Sequence, residues 1–474
     1  MSTVIRFGTD GWRGVIARDF TFHNIRLVTQ AVADYLKKQS TISNQQSTVL
    51  VGYDCRFLSR EYAQAAARIL SGNGYKVLLA GEPTPTPAIS YSVVKNELAG
   101  AVIITASHNP YNFNGFKFKT SQGVSAGPEV TRRIEGLCGK SKPKENERQI
   151  SPADPKTDYL RHLGKLVDLS TMKKRKMRIV IDPMFGAAQN YLEELLTSGR
   201  MSIKSLNSYV DPLFGGVNPE PIAANLGLML KEVKRTGSDI GIAFDGDGDR
   251  IGLGDRNGNF VNSHQIFCLL LLHLVRNKKQ SGMVVKTISG TYLLQRVCDR
   301  YGLELKETPI GFKYIGDLML KEDVLIGGEE SGGIGFRGHI PERDGILSAL
   351  YMLELMAVSG RDLAALRNDL FKEFGISCYD RCDLALGHTH HHHINKHDFS
   401  RQMVKLSQTG GLAELIMETR DYDGVKMILR DDSWLLLRPS GTEPVVRIYA
   451  EAGNSAQVKK LIDTGRRMVY KFKS

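Results

Sequence analysis

The chain of 474 residues is 42% hydrophobic and 24% charged and carries 47 glycines, the composition of a soluble globular protein. At roughly one domain per 100–200 residues it holds three or four domains, which excludes a single small fold. Its 63 Lys and Arg against 51 Asp and Glu leave a formal charge of +12, which would suit nucleic acid, an anionic membrane or small anionic substrates.

The N-terminal "MSTVIRFGTDGW" has no apolar run of the kind a secretory leader needs. Apolar, β-branched strands are then expected at 48–54, 75–81, 98–105, 178–183, 239–245, 283–290 and 323–330, with helices such as Glu61 to Ser71 and Asn190 to Thr197 between them. Continuous apolar strands separated by helices argue for α/β layers, with function in loops beyond the strand ends. The basic run "KKRKMR", Lys173 to Arg178, reads as a solvated approach to the strand that follows. The other cations are dispersed and no RNA-recognition or finger motif accompanies them, so small anions are favoured over nucleic acid. "IFCLLLLHLV", from Ile266, is too short to span a bilayer and reads as a buried helix.

Polar, Pro-bearing stretches at 138–156 and around 387–399 mark boundaries, and a new helix–strand cycle begins near 262. The expected spans are therefore 1–155, 156–262, 263–380 and 381–474. In the last, "GVKMILRDDSWLLLRPSG" and "PVVRIYAE" predict a hairpin-rich sheet closed by the helix "SAQVKKLIDTGRRMVY", a different, α+β module. Cys55, Cys138, Cys268, Cys298, Cys378 and Cys382 form neither a disulfide framework nor paired knuckles, which fits a reducing cytoplasm. Cys378 and Cys382 do precede a His-rich run, "GHTHHHHINKH", but consecutive histidines cannot all converge on one tetrahedral zinc. A solvated loop is expected there.

"FDGDGDRIG", 244–252, places Asp245, Asp247 and Asp249 at alternate positions after a strand. Carboxylates this close repel unless a cation sits among them, and an all-oxygen set favours Mg²⁺ or Ca²⁺. An EF-hand is excluded, because Arg250 and Arg256 stand where its Gly and Glu belong. The rival reading is an acidic turn at a helix dipole. "RPSGTEP" at 438–444 combines a guanidinium, two hydroxyls and a Gly as a phosphate nest or a plain turn. Lys313 in "GFKYIG", Arg343 in "PERDG" and Arg13 in "DGWRG" are further cations in Gly-containing loops. "GGEESGG", 327–333, exposes two acids and a hydroxyl suited to vicinal sugar diols, or to capping a helix. Alone, "TASHNP" at 105–110 reads as a turn. Neither a P-loop nor a dinucleotide fingerprint is present.

Taken together and in order, "FGTDGWRG", "TASHNPYNFNGFK", "DGDGDR", "GEESGG" and "RPSGTEP" resemble the α-D-phosphohexomutase superfamily, the phosphoglucomutase and phosphomannomutase enzymes, across residues 6 to 447. The resemblance implies three related α/β domains with mixed sheets and a C-terminal domain of the TATA-binding-protein-like class, around a central cleft. It implies that Ser107 carries a phosphoryl group and, with Asp245, Asp247 and Asp249, holds Mg²⁺. His108 and Lys117 match proton-transfer positions, Arg13 a neighbouring cation, and Arg250 a support for the metal loop or phosphate. Glu329 and Ser331 match sugar-hydroxyl readers, and Lys313, Arg343, Arg438, Ser440, Gly441 and Thr442 fall at phosphate-binding positions. Ile310 stands where some glucomutases have a threonine, so one hydroxyl contact is missing or moved.

The implied reaction interconverts glucose 1-phosphate and glucose 6-phosphate through glucose 1,6-bisphosphate, in a cytoplasmic monomer or homodimer whose partner is a small sugar phosphate. Mannose phosphate or a dual preference is the nearest alternative, ahead of glucosamine phosphate. A sugar phosphatase or a non-catalytic sugar-phosphate sensor would use the same loops.

Overall fold

The structure is a computed structural model that describes residues 5–39, 47–197, 199–385, 396–408, 413–440 and 445–473. Its contacts divide it into two compact units. One comprises Met1–Met283 with Gly311–Leu366, and the other Val284–Ile310 with Arg367–Ser474.

The first unit begins with a six-stranded sheet in the order Trp12–Val15, Phe113–Thr120, Gly100–Ile104, Thr48–Tyr53, Lys76–Ala80 and Ile150–Ala153. The last four strands run parallel, and Phe113–Thr120 pairs antiparallel on either side. Gly100–Ile104 is buried at every position, as a strand covered on both faces must be. The helix Phe22–Gln39 contributes Ile25, Val28 and Val32 to a core shared with Val51, Ile103 and Phe116. Because parallel strands end at one edge, the loops after Tyr53 and Ile104 are neighbours, and Asp54 N–H donates to the Ile104 carbonyl at 3.0 Å.

A second sheet follows in the order Phe260–Val261, Ile251–Asp255, Ile240–Phe244, Met177–Asp182 and Met201–Ser205. Ile240–Phe244 and Ile251–Asp255 form an antiparallel hairpin, so residues 245–250 are its connection. Further along, Val324–Gly328 and Ile334–Phe336 make another hairpin, with residues 329–333 at its tip. The apolar run from Ile266 lies in the helix Ser263–Arg276, buried along most of its length as expected.

In the second unit, the strand Met283–Thr287, from Val284 onward, pairs in parallel with Leu305–Thr308, the helix Leu293–Tyr301 connecting them. Its other sheet is antiparallel, in the order Cys378–Ala385, Val445–Ala452, Trp434–Pro439, Val425–Leu429 and Ile416–Arg420. The helices Lys396–Ser407 and Ser455–Lys473 pack on it, joining Phe399, Val458 and Val469 to Leu435, Leu437 and Ile448. The expected hairpin and closing helix are both present. Among the described residues no helix is long and apolar enough to cross a membrane.

Candidate active site

Ser107 follows the strand Gly100–Ile104 in a backbone conformation that L residues seldom hold, φ 52°. Such a conformation persists only where the surroundings over-determine it. Here the clamp is Arg56, from the loop after the adjacent parallel strand. Its guanidinium donates to the carbonyls of Ser107 (2.6 Å), Asn109 (2.6 Å), Pro110 (2.8 Å) and Phe113 (3.0 Å). Asp54 pairs with its Nε at 3.2 Å, both side chains fully buried, and the Phe214 ring lies 4.8 Å from its carbon. Thr105 Oγ1 accepts the Ser107 N–H at 2.9 Å. Removing one partner of a buried pair strands the other, so Arg56→Ala is expected to cost about 3–5 kcal/mol of stability. A fall in thermal midpoint of only a degree or two would show that the Arg56–Asp54 pair does not carry the loop.

The Ser107 hydroxyl points at the acidic connection of the second sheet and donates to Asp245 Oδ2 at 2.7 Å. Gly246 permits this approach, since a Cβ there would lie 2.5 Å from the Ser107 carbonyl oxygen. The N–H groups of Asp249 and Arg250 close the connection on Asp245 Oδ1, at 3.0 and 3.1 Å. Thr86 Oγ1 donates to Asp247 Oδ2 at 2.5 Å and its N–H to the Asp247 carbonyl at 2.9 Å. One oxygen each of Asp245, Asp247 and Asp249 lies within 4.8 Å of the others, all three residues being buried. Asp247 Oδ1 and Asp249 Oδ1 are buried without a hydrogen-bond partner. Burial first, and then the charges of Asp249 and Asp247, push the Asp245 carboxyl well above the usual carboxylate range. Orphaned oxygens in an all-carboxylate cluster fit a hard divalent ion, so these residues could hold one.

Cations crowd the same point. Lys117, from the strand Phe113–Thr120, places Nζ 2.7 Å from Asp10 Oδ2, 2.8 Å from Asp247 Oδ2 and 3.4 Å from Asp249 Oδ2. Burial opposes its charge, but the three carboxylates outweigh burial and hold its pKa above the ordinary lysine value. Arg343 donates to Asp10 Oδ2 and Asp249 Oδ2, both at 2.7 Å, and to Glu329 Oε2 at 3.1 Å. Arg250 Nε stands 3.9 Å from Asp245 and 3.8 Å from Asp249. Arg13 donates to the Asn109 side chain beside Ser107. His108 Nδ1 lies 3.3 Å from Ser107 Oγ. Burial, and then the charges of Arg250, Arg13, Arg56 and Arg343, hold this imidazole well below its ordinary pKa, so it is neutral near pH 7.

At the tip of its hairpin, Glu329 is pushed up to about 7 by burial, against the pull of Arg343. Ser331 Oγ is buried with no hydrogen-bond partner. Lys313 lies in the helix Phe312–Lys321, its Nζ 5.3 Å from the Tyr314 ring centre. Eleven of the expected site residues, Arg13, Ser107, His108, Lys117, Asp245, Asp247, Asp249, Arg250, Glu329, Ser331 and Arg343, thus meet in the first unit through the contacts named or as members of the same loops.

The second unit carries Arg438, whose Nε pairs with Asp423 Oδ2 at 3.0 Å, and Ser440, whose N–H donates to the Val445 carbonyl at 2.9 Å. Gly441 and Thr442 lie outside the described residues. Ile310 donates its N–H to Asp423 Oδ2 at 2.9 Å, so the carboxylate held by Arg438 also fixes the turn at this departure from the family pattern. Cys378 and Cys382 stand on the strand Cys378–Ala385, and most of the His-rich run, 386–395, lies outside the described residues. Among the described residues, the only His, Cys, Asp or Glu group close enough for a metal is the Asp245, Asp247 and Asp249 triad.

Sequence reasoning missed Arg56, Asp10 and Thr86. The signal for Arg56 was its place just beyond the strand Thr48–Tyr53, where loops of parallel strands converge. Asp10 stood inside a quoted motif from which only the arginine was taken.

Family models described as phosphoglucomutase/phosphomannomutase α/β/α domains I, II and III and C-terminal domain match residues 4–145, 157–258, 262–374 and 408–466. The chain is 30% identical over 468 residues to a Thermococcus kodakarensis protein named phosphoglucomutase/phosphomannomutase, covering 98% of both. It is also 30% identical over 466 residues to the phosphoglucosamine mutase of Caldicellulosiruptor bescii, covering 96% of both. Among solved structures, a Thermus thermophilus protein assigned as a phosphomannomutase is similar with a TM-score of 0.87 and 35% identity, covering 99% of this chain and 100% of that one.

Proposed function

The chain belongs to the phosphoglucomutase/phosphomannomutase family, and from that premise we propose that it is a Mg²⁺-dependent phosphoglucomutase working through phospho-Ser107. The observation that carries this reading is the Ser107 hydroxyl, held by a strained, Arg56-clamped loop 2.7 Å from the carboxylate triad. Asp245, Asp247, Asp249 and an oxygen on Ser107 would hold the ion, which supplies charge neutralisation for phosphoryl oxygens.

In the forward direction the 6-hydroxyl of glucose 1-phosphate attacks the phosphorus of phospho-Ser107, the bond to Ser107 Oγ breaks, and glucose 1,6-bisphosphate forms. The intermediate turns over in the site. Ser107 then attacks the 1-phosphate, restoring phospho-Ser107 and releasing glucose 6-phosphate. Such transfers depend chiefly on positioning and electrostatics. His108, neutral and 3.3 Å from Ser107 Oγ, is read as the proton carrier, taking the proton of the attacking hydroxyl and returning it to the oxygen that leaves, Ser107 Oγ in the first transfer and the sugar's 1-oxygen in the second. Lys117, held as an ammonium by three carboxylates, is suited to stabilise charge instead. By the resemblance, Arg438 and Ser440 of the "RPSG" segment take a phosphate-binding role. The partner is then a small-molecule sugar phosphate rather than nucleic acid or a membrane, and the enzyme works in the cytoplasm as a monomer or homodimer.

Glucose and mannose phosphates differ only in the orientation of the C2 hydroxyl. Glu329 and the orphaned Ser331 hydroxyl suit the neighbouring C3 and C4 hydroxyls, and a site anchored there discriminates weakly at C2. The doubled acid of "GEES" resembles the loop of the glucomutases more than that of the other family members, which supports glucose. In a coupled assay glucose 1-phosphate is expected to give the highest kcat/KM, mannose 1-phosphate measurable turnover, and Glu329→Gln a loss on both sugars together. A higher kcat/KM for mannose or glucosamine 1-phosphate, or a Glu329→Gln variant indistinguishable from wild type, contradicts the glucose reading. Because Glu329 titrates near 7, its carboxylate form is lost as pH falls through that value. KM should accordingly rise below pH 7 in the wild type and not in Glu329→Gln.

A further inference from the structure

Asp10 lies outside the carboxylate triad yet binds two of the buried cations that touch it, Lys117 and Arg343. Its Oδ2 accepts from Lys117 Nζ at 2.7 Å and from Arg343 Nη2 at 2.7 Å, while its Oδ1 accepts from Ser125 Oγ at 2.7 Å. Ser125 is in turn bonded by Lys119 Nζ at 2.7 Å, and Lys119 is ion-paired with Glu342. Asp10 is thereby fixed through both oxygens. From the same position Lys117 reaches Asp247 Oδ2 and Asp249 Oδ2, the carboxylates that a divalent ion would draw on. Two cations sharing buried carboxylates disfavour one another, and a further carboxylate on the side of one of them relieves the conflict.

We propose that Lys117 opposes binding of the divalent ion at Asp245, Asp247 and Asp249, and that Asp10 is the positioning residue that draws the ammonium away and lets both charges occupy one site. The inference rests on the metal reading given above. It differs from a simple sum of charges, because Asp10 acts on the ion chiefly through Lys117. Arg343, 2.7 Å from both Asp10 and the triad's Asp249, carries the part of the effect of Asp10 that does not pass through Lys117.

The test is Mn²⁺ binding to the full chain, measured by calorimetry without sugar, with phosphorylation matched among variants by intact mass. Lys117→Met, which keeps the length of the stem, should tighten Mn²⁺ binding about tenfold, and Asp10→Asn should weaken it about tenfold. In the Lys117→Met background the Asp10→Asn effect should shrink to about twofold, a coupling that a merely structural role would not produce. Asp10→Ser serves the same cycle if the Asn variant does not fold, and Lys117→Gln if the Met variant does not. Equal effects of the Asp10 substitution in both backgrounds, or weaker binding in Lys117→Met, overturn the proposal. Absence of Mn²⁺ binding by the wild type overturns it together with the metal reading. Coupled Mn²⁺ binding in a protein without mutase turnover supports it while overturning the sugar-phosphate reading.

Discussion

Ser107→Ala is expected to lower mutase turnover by at least about four orders of magnitude while leaving the protein folded. The hydroxyl is the atom to which the phosphoryl group would be bound, and water in its place stores nothing for return to the sugar. The loop itself depends on other groups. Arg56 holds four of its carbonyls and Thr105 the Ser107 N–H, and none of these contacts uses the side chain of Ser107. The variant loses the bond to Asp245, a cost of about 1 kcal/mol. Thermal unfolding and a mutase assay on the same sample separate the two effects. Near-full activity in Ser107→Ala would remove the phosphoserine from the mechanism.

Asp247→Ala, or chelation of the divalent ion, should cut turnover by about three orders of magnitude. The triad is the only candidate metal group among the described residues, and two of its oxygens are buried without a hydrogen-bond partner. Removing Asp247 does not strand Lys117, because Asp10 at 2.7 Å and Asp249 at 3.4 Å remain its partners. The fold should therefore survive, and the loss should appear in kcat. Mg²⁺ should restore the chelated wild type. Restoration by zinc alone would contradict a site made of oxygen donors.

The layers of this fold were legible because its central strands are buried on both faces and so read as unbroken apolar runs. "LAGAVIIT" and "DIGIAFD" led to Gly100–Ile104 and Ile240–Phe244 with errors of one or two residues at the ends. The strand Phe113–Thr120 was not legible, since "FNGFKFKT" alternates aromatic residues with lysines that look solvated. Lys117 and Lys119 are buried there because Asp10, Asp247, Asp249 and Glu342 receive their ammonium groups, a condition no local pattern displays. Cys378–Ala385 escaped for the opposite reason, because its exposed positions carry charges in place of the apolar residues expected of a strand. Within the site, most of the residues singled out from the sequence stand inside unusual motifs, although Asp10 in "DGWRG" was passed over. Arg56 and Thr86 act by holding backbone and carboxylates, and they belong to no motif; for Arg56 only its place after a parallel strand marked it.

Transfer of a labelled phosphate tests the central claim most directly. Dephosphorylated enzyme would be incubated with glucose 1,6-bisphosphate carrying ³²P on both phosphates, freed of excess ligand, digested and mapped, and a parallel sample chased with unlabelled glucose 1-phosphate. One phosphate per chain on the Ser107 peptide, discharged by the chase into glucose 1,6-bisphosphate and glucose 6-phosphate, is the expected result. Label on any other residue, or label on Ser107 that glucose 1-phosphate does not remove, would contradict it.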